Sequence, residues 1–383
     1  MPAFPFLATL LIGQTTADFT SVWESVSKSI STTYYARKSR AAEMEGLLRK
    51  YRPIACAAQT RAEFAKDVNA MIGEFHDSHF AFYTERDQGY YVMDSLLSSR
   101  GAKPMPNIGA YFKPGEEGWT VQMVVENSPA QKADVRKGDR ILSANGNGFE
   151  PVQSFSSGSP TTLEIERDGK RLTRTVRPDR ETAMRMFLDA TKSSTRVIDH
   201  NGRKIGYIHV WTLASDEFKR ALDNAVYGPL ADTDACILDL RDGFGGRPEG
   251  YADPFFRPEM SIEWKSPNNS NREMFGNQRP LVVLINGGSR SAKEVLSLIL
   301  KKSHRATLIG STTAGNVLGT SPERVNDWSV LEIPSVDVIC DGARLEGVGV
   351  SPDISVTKEY DANGKDLYLA RALDFLKDVK THA

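Results

Sequence analysis

The sequence predicts an α/β protein of several domains (α+β multidomain), on three observations. Apolar residues near the start recur at three- and four-residue steps. The middle of the chain breaks into short alternating runs between Gly and Pro turns. From residue 205 onward, strand-like apolar runs alternate with amphipathic helical stretches. The 383 residues suit two to three domains at roughly 150 residues each. The expected organisation is a candidate signal peptide at 1–17, an N-terminal helical region at 18–106 with a helical cap over 18–75, a β-rich module at 107–180 and an α/β core with a mixed sheet at 181–383.

Each element has its own justification. Phe19, Val22, Trp23, Val26 and Ile30 share one helical face. A second helix is expected over 41–51, stopping near Pro53 because proline disrupts a helix interior. A third is expected over 60–75, with Thr60 as N-cap and Glu63 at the capping-box position. In the middle region 121–125 reads as a strand, and Ser128, Pro129 and Ala130 open a short helix. Residues 137–142 turn into another strand, and Asn145-Gly146 is a hairpin signal. Residues 163–167 and 172–176 alternate on either side of the Asp168-Gly169 turn. In the last part, strands are expected at 205–211, 235–240, 281–285 and 306–309. Helices are expected at 215–226, 291–302 and 367–379, with a hairpin region at 329–339. The apolar runs at 235–240 and 281–285 suit strands covered on both faces.

Composition excludes several classes. Apolar residues are 40% and charged residues 25%, ordinary globular usage that permits a sizeable core. Lys+Arg is 48 against Asp+Glu 49, so no global basic field marks nucleic acid as a partner. Three cysteines, Cys56, Cys236 and Cys340, are too few and too scattered for a disulfide framework or a zinc site. The six histidines form no H-x-x-x-H pair, and neither a metal nor another cofactor is expected.

The apolar run at 4–12 falls short of the ~20 residues of a membrane span. It has the length of a signal-peptide core, and Thr15, Thr16 and Ala17 supply small residues for cleavage. A basic segment before it is missing, since Lys28 is the first basic residue. The expectation is an exported protein, periplasmic or extracellular, with a cytoplasmic location as the alternative.

Four segments carry candidate chemistry. In LVVLINGGSRSAKEVL a strand runs through a Gly turn into a helix near Ser291. A hydroxyl there sits beside helix N-terminal N–H groups. Ser291 is equally readable as an ordinary N-cap, with Glu294 completing a capping box. In ILDLRDGFGG a strand ends in a Gly-rich loop, where Gly245 and Gly246 can expose backbone N–H groups. Asp77, Ser78 and His79 follow the third helix, and His79 is the most plausible general base. Glu346 opens LEGVGVSPDISV, where an isolated glutamate otherwise reads as a solvated loop residue.

In this order the four segments resemble the tail-specific (carboxyl-terminal processing) proteases and their relative, the tricorn core protease. The family pattern is a D-S-H-type segment, a PDZ module, then D-L-R-x-N-x-G-G, N-x-x-S-x-S-A-x-E and G-V-x-P-D. This chain has Asp77-Ser78-His79, a module reading SPA, GD and NG, Asp239-Leu240-Arg241 with Gly245-Gly246, Asn286 to Glu294, and Gly349 to Asp353. The resemblance covers about residues 18–360. It implies a serine endopeptidase acting through an acyl-enzyme, and a PDZ-like domain at 107–180.

The resemblance also implies residue roles. Ser291, rather than Ser289, stands at the nucleophile position. Ala292 N–H and one N–H from Gly245-Gly246 stand as oxyanion donors. The tail-specific branch takes its base from a lysine in a T-x-G-K segment, but here Asn316 occupies that position. The tricorn-like branch uses histidine, preceded by serine and oriented by a glutamate. This implies His79 as base, with Ser78 and Glu346 as orienters. Lys293 and Lys301 do not point naturally at the Ser291 hydroxyl from their places on the same helix.

Gly109, Ala110, Tyr111 and Phe112 match the loop that captures a peptide carboxylate, with the peptide added as a strand. Only a short helix at 151–155 is available to line that groove. The implied partners are polypeptide substrates, bound by their C-termini, with no nucleic acid and no stable membrane span. The rival functions are a catalytically silent peptide-binding scaffold and, ranked last, a hydrolase of small esters.

Overall fold

The computed structural model describes residues 19–98, 101–258 and 260–379. The candidate signal peptide lies outside the described residues. Helices Thr20–Thr33, Ala41–Cys56 and Arg61–Gly73 form the N-terminal cap. Trp23, Val26 and Ile30 are buried as the periodicity predicts. The second helix runs through Pro53 instead of stopping before it. The proline lies in the final turn, where few backbone bonds remain to be lost. Thr60 caps the third helix, its hydroxyl accepting from Glu63 N at 3.1 Å.

The cap does not close its own core. Phe64, Phe75 and Phe82 pack with Trp328, Leu331 and Ile333 from the distant strand Ser329–Val336. That strand pairs antiparallel with Ala81–Thr84, the strand that follows His79. The 77–79 segment is therefore pinned between the cap and the C-terminal half. A helix at Gln88–Leu97 follows, where no element was expected.

The middle module is a five-stranded antiparallel sheet in the order Ala110–Gly115, Gly118–Val124, Arg140–Ala144, Thr161–Arg167 and Lys170–Val176. Asn145 and Gly146 make the expected tight turn at φ 51° and 76°. The expected helix at 151–155 is a run of turns. Phe149 and Phe155 from this region pack against Phe112, with ring centroids 4.8 and 6.5 Å from it. The segment thus fills the module's own core instead of walling a groove.

The core is a six-stranded sheet. Its order is Ile354–Ser355, Thr307–Gly310, Leu281–Ile285, Ala235–Asp239, Arg203–His209 and Arg196–His200. All neighbours are parallel except the last pair, so the sheet is mixed as expected. Leu281, Val283 and Ile285 face a core shared with helices Ala183–Ser194, Asp216–Tyr227 and Ala292–Lys302. Val282 and Leu284 face helix Leu367–Asp378 through Tyr368, Ala372 and Leu376. Both faces are covered, which explains the uninterrupted apolar runs. Burying Leu296 and Leu300 contributes roughly 1.5–3 kcal/mol each, anchoring the helix that Ser291 precedes. Among the described residues no helix is long and apolar enough to cross a membrane.

Candidate active site

Ser291 sits at the turn between strand Leu281–Ile285 and helix Ala292–Lys302, in the N-cap position. Its backbone has φ 58° and ψ −131°, a sparsely populated conformation for a non-glycine residue. Buried hydrogen bonds impose it. Ser291 N donates to Glu294 Oε2 at 3.0 Å and to the Asn316 carbonyl at 2.8 Å. Glu294 also accepts from Thr313 Oγ1 at 2.6 Å, Gly315 N at 2.7 Å and Asn316 N at 3.0 Å. The capping-box residue thus ties the serine turn to the 313–316 segment.

Ser289 is fully buried, its hydroxyl donating to the Leu240 carbonyl at 2.9 Å and accepting from Asn286 N at 3.0 Å. It is a staple of the turn, and Ser291 is the accessible hydroxyl. Gly245 approaches Ser291 so closely that a Cβ on it would lie 2.4 Å from Ser291 Cβ and 3.1 Å from Ala292 N. Among the described residues no protein acceptor takes the N–H of Gly245, Gly246 or Ala292. Ala292 and Gly245 therefore bring unspent N–H groups beside Ser291, and the Gly246 N–H on the same loop is unspent as well.

The acid–base residues form one chain of hydrogen bonds. Ser78 Oγ lies 2.9 Å from His79 Nδ1 and donates to Glu346 Oε2 at 3.0 Å. Glu346 also accepts from Ser78 N at 3.1 Å, Val317 N at 2.6 Å and Leu318 N at 3.2 Å. A carboxylate only accepts, so the single Ser78 proton goes to Glu346. His79 Nδ1 must then carry a hydrogen and donate to Ser78, which leaves Nε2 with its lone pair. This is the tautomer a general base requires.

Asp77 anchors the segment from behind, accepting from Arg40 Nη1 at 2.8 Å and from the Tyr35 hydroxyl at 3.0 Å. His79 takes φ 55°, so the segment is held in a strained form by these contacts. Burial and the Arg290 guanidinium push the His79 pKa down to about 4, against an opposing pull from Glu346. No hydrogen bond joins Ser291 Oγ to His79 among the described residues. The two halves are nevertheless linked, because Asn316 holds Ser291 and its neighbour Val317 holds Glu346.

Neither Lys293 nor Lys301 bonds to Ser291. Lys293 is fully buried, donating from Nζ to the Asp242 carbonyl at 2.7 Å, and burial lowers its pKa to about 7. Lys301 pairs with Asp353 at 3.0 Å. Asn316 contributes its backbone to the serine turn.

The expected peptide loop is occupied from within. Gly109 N donates to Asn107 Oδ1 at 3.0 Å. The Gln88 side chain donates from Nε2 to the Ala110 carbonyl at 2.9 Å and accepts from Phe112 N at 3.1 Å. Ala110, Tyr111 and Phe112 are all buried. One carboxamide thus makes the pair of main-chain contacts that an added strand would make on this sheet edge. Gln88 carries no motif, so only the fold reveals it.

The fold that carries this site is similar to known proteins. Residues 204–356 match peptidase family S41, and residues 106–177 match the PDZ domain. The chain is 28% identical over 261 residues to carboxyl-terminal-processing peptidase 3, chloroplastic, of Arabidopsis thaliana, covering 62% of this chain and 50% of that protein. It is 22% identical over 404 residues to the tricorn protease of Thermoplasma volcanium, covering 96% of this chain and 37% of that one. The chain spans about half, or less, of the length of these relatives. Among solved structures, the photosystem II D1 C-terminal processing protease superposes with a TM-score of 0.58 at 17% identity, over 91% of this chain and 96% of that one. The tricorn protease superposes with a TM-score of 0.56 at 19% identity, over 94% and 37%. The ordered motifs, the fold and these matches agree: residues 204–356 are similar to peptidase family S41, and residues 106–177 ahead of them are similar to the PDZ domain.

Proposed function

We propose that the chain is a serine endopeptidase that hydrolyses polypeptides through an acyl-enzyme, with Ser291 as nucleophile and His79 as base. The observation that carries this reading is the Glu346–Ser78–His79 relay, which fixes the basic tautomer of the imidazole. Ser291 Oγ attacks the scissile carbonyl and His79 Nε2 takes its proton. Ala292 N–H and an N–H of the Gly245-Gly246 turn receive the oxyanion. The C–N bond then breaks, and His79 returns the proton to the leaving amine. Water, activated by the same imidazole, cleaves the ester and restores Ser291. Glu346, acting through Ser78, stabilises the imidazolium in each half-reaction.

A lysine base plays no part, because Asn316 stands in its place and a carboxamide nitrogen takes no proton. The PDZ domain presents substrates by their C-termini once the Gln88 contacts are exchanged for a peptide strand. The apolar run at 4–12 supports export as the setting.

The test is incubation of the full chain with an unfolded polypeptide, followed by mass spectrometry. New termini that appear with the wild type and not with Ser291→Ala support the reading. A second reading, the silent peptide-binding scaffold, is favoured by the unmade Ser291–His79 hydrogen bond. It predicts no new termini from either protein.

A further inference from the structure

His209 ends the strand Arg203–His209, and only 5% of its surface is exposed. Both ring nitrogens face groups that can only accept. Nδ1 lies 2.6 Å from Glu126 Oε1, and Nε2 lies 2.9 Å from the Arg241 carbonyl. A neutral imidazole has one N–H, so it would set a lone pair against one of these oxygens. Only the imidazolium donates to both.

The partners belong to different parts of the molecule. Glu126 lies in the PDZ domain, and its second oxygen accepts from Trp211 Nε1, whose ring packs on His209 at 4.1 Å between centroids. Arg241 begins the loop whose Gly245 meets Ser291. The base of that loop also meets Lys293, whose Nζ donates to the Asp242 carbonyl at 2.7 Å and to the Arg241 carbonyl at 3.4 Å. Glu126, His209, Trp211 and Arg241 all line one cavity of about 1040 Å³ between the PDZ domain and the core.

We propose that His209, as a buried imidazolium, is a positioning residue that ties the oxyanion loop to Glu126 of the PDZ domain. The idea rests on the serine peptidase reading above. The charged groups around the ring favour this form on balance. Glu126 and Asp239 hold its pKa above the ordinary value, against burial and Lys293. The Arg241 guanidinium is engaged by Asp239, Glu359 and Asp366, and the Tyr207 hydroxyl by Asp239. Lys137 pairs with Asp242 and Glu359 on the same cavity wall.

The sign follows directly. The loop is held while the ring is charged, so acylation falls as pH rises through the His209 pKa. This limb is separate from the acid limb set by His79. Glu126→Gln keeps the shape and removes the charge that favours the imidazolium, so it moves the limb to lower pH. A shift of one unit lowers the rate on the alkaline side by about tenfold. His209→Gln, which does not titrate, removes the limb.

The experiment measures two quantities on the full chain between pH 5 and 10. One is the rate of acylation by a fluorophosphonate. The other is the ¹⁵N imidazole titration of His209, assigned by its loss in His209→Gln. The expected result is a ring that stays charged above the ordinary histidine value in the wild type, a downward shift in Glu126→Gln, and an acylation limb that moves with it. A ring that titrates at the ordinary value in both proteins overturns the proposal. So does a ring that titrates as expected while acylation ignores it, although the peptidase reading then stands. Absence of acylation at every pH sinks the peptidase reading and the positioning role together, and the NMR titration still shows whether Glu126 sets the charge.

Discussion

Ser78 and Glu346 are 268 residues apart in sequence and joined by two hydrogen bonds, from Ser78 N at 3.1 Å and from Ser78 Oγ at 3.0 Å. The serine is thereby fixed in main chain and side chain at once, and its oxygen is presented to His79. Ser78→Ala breaks the relay and leaves His79 Nδ1 without its partner. We expect kcat on a peptide substrate to fall by roughly ten- to a hundredfold with KM little changed, less than the ~10²–10⁴-fold loss from His79→Ala. Steady-state kinetics check this. A Ser78→Ala enzyme as inactive as His79→Ala, with normal stability, contradicts the orienting role.

The pH dependence has a definite sign. His79 acts as base only when neutral, and its pKa is lowered to about 4 by burial and by Arg290. Acylation is therefore expected to persist down to about pH 4 and to be lost as pH falls through that value. Arg290→Met removes a positive charge beside the ring, so the acid limb moves to higher pH. A pH–rate profile of kcat/KM for the two proteins measures the shift. A limb that stays put, or moves lower, contradicts the electrostatic argument.

Gly245→Ala tests the close approach of the loop to the nucleophile. The added Cβ would lie 2.4 Å from Ser291 Cβ, so the loop or the serine turn must move. Overpacking of this kind costs about 1–3 kcal/mol. We expect a matching loss in thermal denaturation, and acylation reduced by ~10²-fold or more as an oxyanion donor is displaced. Normal acylation in this variant would remove the loop from the oxyanion site.

Gln88→Ala tests the occupied sheet edge. The change frees the Ala110 carbonyl and Phe112 N–H without touching the serine site. Two competing hydrogen bonds of about 1 kcal/mol each are removed, so a peptide with a free C-terminus binds roughly ten- to thirtyfold more tightly. Fluorescence anisotropy with a labelled peptide reports the change. Unaltered affinity would mean that the edge at 110–112 is not where the peptide adds.

The parts of this molecule that could be read beforehand are those written in local pattern. The apolar runs of the core strands, the Asn145-Gly146 turn and the Thr60 cap depend on neighbours in sequence. The order of the serine, histidine and glutamate motifs supplied the candidate site. The roles of Ser291, Ser78 and Glu346 were implied by that resemblance, and the strained Ser291 turn and the Glu346–Ser78 hydrogen bonds come from the fold alone. Other features were invisible for physical reasons. The hairpin Met260–Ser266 and Asn269–Phe275 carries no burial alternation along its first strand, which is exposed throughout. Pro53 misled because its position in a final turn depends on where the helix ends. Gln88, Glu126 and His209 act through partners in other domains, so nothing beside them in sequence marks them.

The most direct test of the central claim is fluorophosphonate labelling of the full chain, compared with Ser291→Ala and His79→Ala. One adduct per chain is expected, mapped to Ser291, absent in Ser291→Ala and formed ~10²-fold or more slowly in His79→Ala. A folded wild type that forms no adduct, or one that labels equally well without His79, would contradict it.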